Sequence, residues 1–217
     1  MTQAQIKTRC PGCRRLIGVI EPPITNFDLT YNPELRKELL RGNVNQAFCS
    51  ACEKVFRCET ELLVFHEKLK YAILATNARE PNDVIRGKSL LLRLFGHTQF
   101  RFRVVKYCIE AIEKVRIFEN HLDDRAIEWV KYRFCPEIVK EAQGTNLLLY
   151  DGIIDRALSF RVFDDFDQPT GAHFTVPIDT YRQYAARCTP EPLDECEIRW
   201  KRIDDNWAVR TQLHMEA

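Results

Sequence analysis

Two C-x2-C units, Cys10-Pro11-Gly12-Cys13 and Cys49-Ser50-Ala51-Cys52, stand 35 residues apart in a chain of 217 residues that carries nine cysteines. Each unit places two sulfurs on one tight turn whose backbone N–H groups can face them, and two such turns supply the four thiolates of a tetrahedral structural metal site. Pro11 stiffens the first turn and Gly12 frees it. Cys10, Cys13, Cys49 and Cys52 are therefore expected to hold one Zn²⁺, with iron on the same four thiolates as the alternative that shares this spacing. Four protein ligands close the coordination shell and leave no position for an activated water, so the expected metal is structural. The interval exceeds the roughly 15 to 20 residues usual between paired knuckles, and a helix inside it accounts for the excess. Asn32 suits the N-cap, Pro33 the first helical position and Gly42 the stop, while Leu35 and Leu39 share a face.

Cys58, Cys108, Cys135, Cys188 and Cys196 lack paired spacing and read as core. Met1 to Arg9 has no apolar stretch of a secretory signal, and no run approaches the roughly 18 apolar residues of a membrane span. A cytoplasmic protein with no membrane association is expected, and in that reducing compartment closely spaced cysteines favour metal over disulfides. With 45% hydrophobic and 29% charged residues the chain has a core to bury. Its net charge of +1 gives no whole-chain argument for a nucleic-acid binder.

Charge drifts along the chain. Residues 1–70 carry 11 basic and 8 acidic side chains, 71–144 carry 13 and 10, and 145–217 carry 8 and 13. This marks a division near Gly144: residues 1–144 as a zinc-ribbon-containing unit with a helical region, and 145–217 as an acidic β-rich segment, either separate or part of the same globule. Val55 to Phe65 and Leu69 to Ala75 read as one hairpin. Leu90 to Phe95 and Gln99 to Val105, flanking Gly96-His97, read as a second. Helical periodicity follows over about 107 to 142, broken near Asn120, with Ile112, Val115, Phe118 and Leu122 and then Ala126, Ile127, Val130 and Phe134 on the apolar faces. Asn146 to Tyr150, Ala157 to Phe163 and Ala172 to Val176 read as strands and Ile178 to Ala186 as a helix. Glu195 to Arg202 and Trp207 to Thr211 read as a last strand pair around Asp204-Asp205-Asn206. The fold class expected is α+β: a zinc ribbon, antiparallel β-hairpins, two central helices and a β-rich carboxy-terminal segment, in preference to a βαβ architecture.

Between Arg86 and Lys106 lie six basic residues (Arg86, Lys88, Arg93, Arg101, Arg103 and Lys106), no acidic one, and Phe95, Phe100 and Phe102. Such a strip can neutralise phosphates and stack bases. Read instead as a strand, it points Phe100 and Phe102 inward and Arg101 and Arg103 to solvent. Glu110, Glu113, Asp123 and Asp124 flank the helices and read as solvated termini and polar faces. No nucleophile elbow, P-loop, dinucleotide fingerprint or H-E-x-x-H is present, so no catalytic set emerges.

Cys10-Pro11-x-Cys13, Asn32-Pro33-Glu34-Leu35, Leu39-Leu40-Arg41-Gly42, Asn45 and Phe48-Cys49-x-x-Cys52 together resemble the CpXC family of bacteria and archaea. The stretch Glu110 to Lys131, with Glu113-Lys114, Leu122-Asp123-Asp124 and Ile127-Glu128, resembles helices that follow the ribbon in longer members, and the resemblance covers about residues 8–140. Ser50 departs from the Pro often found in the second knuckle and Glu53 from the Gly after it. The resemblance implies a ribbon fold and a metal site and supplies no reaction. A zinc-binding protein acting as a protein-interaction or scaffolding module is the expectation, its partner another protein. A nucleic-acid binder using residues 86–106 is the first alternative, and an enzyme with a non-metal active site the second.

Overall fold

The computed structural model describes residues 6–19, 26–57, 61–142, 147–163, 169–191 and 198–215. Two short hairpins carry the knuckles: β1 (Ile6–Arg9) with β2 (Leu16–Val19), and β4 (Gln46–Phe48) with β5 (Val55–Arg57), both antiparallel. Between them the chain leaves for the main body, where β3 (Asn26–Asp28) and α1 (Pro33–Arg41) dock. α1 begins and ends as its sequence dictates. Asn32 accepts from the Leu35 N–H, Pro33 opens the first turn, and Gly42 closes the helix at φ 76°, in the left-handed region that a side chain disfavours.

The central sheet runs β3-β6-β7-β8 with β6 (Leu62–His66), β7 (Tyr71–Ala75) and β8 (Arg101–Val105). β6 and β7 form the expected antiparallel hairpin from Leu62 onward, whereas Val55–Arg57, read as part of the same strand, pairs with β4 in the knuckle hairpin; β3 pairs with β6 and β7 with β8 in parallel. The expected hairpin at 90–105 is absent. Leu90 to Leu94 end a helix, α2 (Pro81–Leu94), that crosses from β7 to β8, so a βαβ unit stands where hairpins alone were expected. A short apolar run does not separate strand from helix by its period, and Pro81 at the helix start was the signal that decides it.

α3 (Cys108–Glu119) and α4 (Asp124–Ala142) meet at the break near Asn120. β9 (Leu147–Ile154), β10 (Ala157–Phe163) and β11 (Pro169–Pro177) form an antiparallel sheet in the order β11-β10-β9, followed by α5 (Ile178–Ala185). α3 lies between the central sheet and β9, and one hydrophobic cluster runs from Phe27 through α3 and α4 to Tyr181, on both sides of residue 144. A second cluster, with Leu63, Ala72, Leu92, Phe100 and Phe102, fills the opposite face of the central sheet.

The expected last strand pair is replaced. Lys201 makes an isolated parallel bridge to Arg103 on the edge of β8, and residues Asp205–Met215 form α6. Asp204 Oδ1 accepts the Trp207 N–H, so the acidic cluster read as a turn is a helix N-cap. α6 packs on α4 through Trp207, whose ring stacks at 5.4 Å on Trp129, while Thr211 Oγ1 accepts the Trp129 indole N–H.

Candidate metal centre

The two knuckles repeat one geometry. The Cys10 N–H donates to the Arg15 carbonyl and the Arg14 N–H to the Cys10 carbonyl; the Cys49 N–H donates to Lys54 and the Glu53 N–H to Cys49 in the same way. This loop requires a left-handed residue at its fifth position, and Arg14 and Glu53 take φ 60° and 58° there. The two turns face each other closely, since a Cβ on Gly12 would come within 2.8 Å of Lys54 Cδ. Ala47 and Phe56 point inward from β4 and β5 to form a small apolar cluster with Cys10 and Cys49.

Inside this frame the four sulfurs lie within 4.8 Å of one another. Cys10 Sγ is 3.5 Å from Cys52 Sγ, and Cys13 Sγ is 3.6 Å from Cys49 Sγ. A tetrahedral ion with metal–sulfur bonds of about 2.3 Å needs sulfurs about 3.8 Å apart, so the donor set fits a tetrahedral metal ion. The backbone N–H of Cys13, assisted by the Cys52 thiol and the Gly12 N–H, draws the Cys10 thiol down to about 6, so one thiolate is available at neutral pH. Cys52 goes the other way: the Lys54 N–H lowers it, but burial and the three neighbouring thiols push it up to about 12. Four thiols this close cannot all ionise without a cation among them. Cys10 and Cys49 are buried and Cys52 half-buried, with Cys13 open to solvent.

With this geometry in place, the comparison with known proteins is decisive on one point. A family model described as CpXC protein matches residues 8–131. The chain belongs to the CpXC family. No curated protein and no solved structure matches it. The CpXC match spans the four cysteines and continues through α1, the central sheet, α3 and the first half of α4.

The other cysteines divide. Cys108 is buried in the core and Cys188 half-buried, whereas Cys58 and Cys196 and the Cys135 side chain lie outside the described residues. The basic strip is not one surface. Phe100 and Phe102 point into the core as the alternation requires, but Arg103, expected in solvent, is 1% exposed. The reason is tertiary: α2 covers one face of the central sheet and α3 the other, so both faces of β8 are inside. Arg103 Nε and Nη2 donate to Asp124 at 2.7 and 3.0 Å, and Nη2 also to Glu191 at 2.6 Å. Arg101 is half-buried with its guanidinium 4.9 Å above the Phe118 ring, and Lys88 Nζ donates to Asn26. Arg86, Arg93 and Lys106 are exposed.

The carboxylates read as solvated are corrected in the same way. Glu113 and Asp124 are buried, Glu110 caps α3 by accepting the Tyr107 N–H, and Asp123 is half-buried against Arg125. Lys114 Nζ lies 2.9 Å from Glu128 Oε1 and 3.5 Å from Asp124 Oδ2, and Lys131 Nζ bridges Glu113 and Glu128. Burial lifts the Glu113 carboxyl above its ordinary value, with Glu128 adding to the lift and Lys131 opposing it. Burial acts in the same direction on Glu128, but Lys114 and Lys131 outweigh it and hold that carboxyl down. Sequence reasoning missed this network because α3 has no exposed residue, so its polar positions have no open solvent face to occupy. No helix among the described residues is long and apolar enough to cross a membrane.

Proposed function

We propose that the four-thiolate site takes Zn²⁺ as a structural ion and that this CpXC protein is a cytosolic interaction module for another protein. The observation that carries the docking role is a ridge at the end of α2: Leu90, Leu94 and Phe95 are 60%, 75% and 68% exposed. Leu90 and Leu94 lie one turn apart on the same side of the helix, and isolated apolar residues on a surface are ordinary whereas a contiguous group of three marks a contact site. Arg86 and Arg93 stand exposed beside them. Carboxylates are the complement to these cations, so the partner is a protein segment with apolar side chains flanked by Asp or Glu. The zinc stabilises the paired hairpins, whose shared apolar cluster of four buried residues is too small to hold them alone.

Elemental analysis tests the metal: about one zinc per chain, lost in a Cys10→Ser/Cys49→Ser variant, is expected, and stoichiometric iron would replace the zinc assignment. A photo-crosslinking residue at position 94 tests the ridge, with the same residue at exposed Asp155 as control. A discrete adduct at 94, removed by Leu90→Ser/Phe95→Ser and absent at 155, is expected. Equal labelling at both sites would refute the docking role.

A further inference from the structure

A cleft of about 770 Å³ opens between β8, the first turn of α3, α4, the start of β9 and the 202–209 segment. Its walls are apolar, with Val104, Leu147, Leu148, Ile203 and Val209, and two tyrosines, Tyr107 and Tyr132, face it. Buried Glu113, Lys114 and Glu128 and half-buried Lys131, the network described above, also line it. A cleft of this size, with a stretch of apolar wall beside converging charged groups, can hold a small molecule.

Hydrogen-bond accounting decides what such a molecule carries. Lys131 Nζ spends its donors on Glu113, at 3.1 and 3.3 Å, and on Glu128 Oε1, at 3.1 Å. Lys114 Nζ donates to Glu128 Oε1, and the Tyr150 N–H to Glu113 Oε1. Glu128 Oε2 accepts no hydrogen bond from any described group, and its partner is the Lys131 ammonium, ion-paired with it at 3.0 Å. Two carboxylates offer about eight lone-pair sites, and five donor contacts reach them. The unused capacity is all acceptor. The wider lining leans the same way, with five carboxylates (Glu110, Glu113, Glu128, Asp204, Asp205) against four cations (Lys106, Lys114, Lys131, Arg202). An excess of negative charge in a low-dielectric cleft rejects anions.

We propose that this cleft binds a small organic amine, its protonated nitrogen directed to the acceptor-rich carboxylates of α3 and α4 and its ring-sized apolar body against Leu147, Val209 and the two tyrosines. The carboxylates favour a cation there, and the apolar walls favour the body it carries. The site is separate from the four cysteines and does not depend on the identity of the metal or on the α2 ridge.

Three probes of one shape but different charge test it: tyramine, 4-ethylphenol and 4-hydroxyphenylacetate, titrated against the full metal-loaded chain by calorimetry and saturation-transfer NMR. Tyramine is expected to bind at least ten-fold more tightly than 4-hydroxyphenylacetate, with 4-ethylphenol between them. Glu128→Gln should weaken tyramine about ten-fold while leaving 4-ethylphenol within about two-fold. Because a change in the buried network can unfold the protein, Val209→Trp, at a partly exposed position on the wall, is the second variant and should abolish binding of all three with melting unchanged. Equal affinity for the three probes, preference for the carboxylate, no saturable binding up to 10 mM, or unaltered binding in Val209→Trp would each overturn the proposal.

Discussion

Arg103 sits at the centre of a buried charge network, and its removal should be among the most damaging single changes in the molecule. Its guanidinium makes a two-pronged contact with Asp124, a third with Glu191 and a fourth with the Phe102 carbonyl at 3.0 Å. Arg103→Met keeps the length and apolar stem of the side chain and deletes the charge, leaving the fully buried Asp124 with Lys114, at 3.5 Å, as its one remaining ion pair among the described residues. Breaking a buried pair from one side costs about 3–5 kcal/mol, because the remaining charge has lost both its partner and its water. For a chain of this size each kcal/mol moves the melting temperature by about 2–4 °C, so scanning calorimetry at pH 7 should show a fall of roughly 6–20 °C. Arg103→Met/Asp124→Leu removes both charges and should recover most of the loss; Glu191 retains Lys201 at 2.9 Å. Acid should narrow the gap. In the parent protein burial would raise the Asp124 carboxyl, but the charges of Arg103 and Lys114 outweigh it and hold it well below the usual carboxylate range. The stability it contributes is present above its unfolded value of about 3.9 and lost as pH falls through its folded value. In the variant, protonating Asp124 relieves the unpaired charge, so parent and variant converge as pH drops towards 4. A single variant that melts within about 2 °C of the parent, or a double variant no better than the single, would refute this reasoning.

Four further outcomes are expected. Chelation of the metal should release fast hydrogen exchange in residues 6–19 and 46–57 while α3 and α4 stay protected, since a structural metal of this type contributes roughly 10 kcal/mol or more to folding its own site. Glu53→Gly should raise stability by about 0.5–1 kcal/mol in denaturant titration and Glu53→Val should lower it, because φ 58° there strains any side chain and a β-branched one most. Asn32→Ala should cost about 1 kcal/mol through loss of the bond from the Leu35 N–H, measured by the midpoint of chemical unfolding. Phe102→Ala, which empties a packed site beside Trp200 at 5.2 Å, should cost about 3–5 kcal/mol by the same assay.

The elements read most directly from sequence are those whose signals are local. α1 is specified by Asn32, Pro33 and Gly42, each acting within one turn of its own position. The knuckles are specified by cysteine spacing, and the antiparallel β6–β7 and β9–β10–β11 strands by apolar runs that close through short connections. Leu90 to Phe95 and Trp207 to Thr211 read as strands from the sequence because their apolar residues satisfy both periods over five or six positions. In each case the deciding residue stood outside the run: Pro81 in one, Asp204 in the other.

The sequence by itself determined the four sulfurs and the chemistry they support, because two residues between cysteines dictate a turn whatever surrounds it. It also determined that Phe100 and Phe102 face inward, since alternation along a strand is a property of the backbone. Only the tertiary structure decided what lies on the other side of that strand. Arg103, Glu113, Lys114 and Asp124 have the residue types of a solvated surface, and they are buried because α3 is enclosed between two sheets and the α4–α6 pair. Charge in a sequence marks a surface only where an element has a side left for water, and how many sides are left is set by what the rest of the chain packs against it.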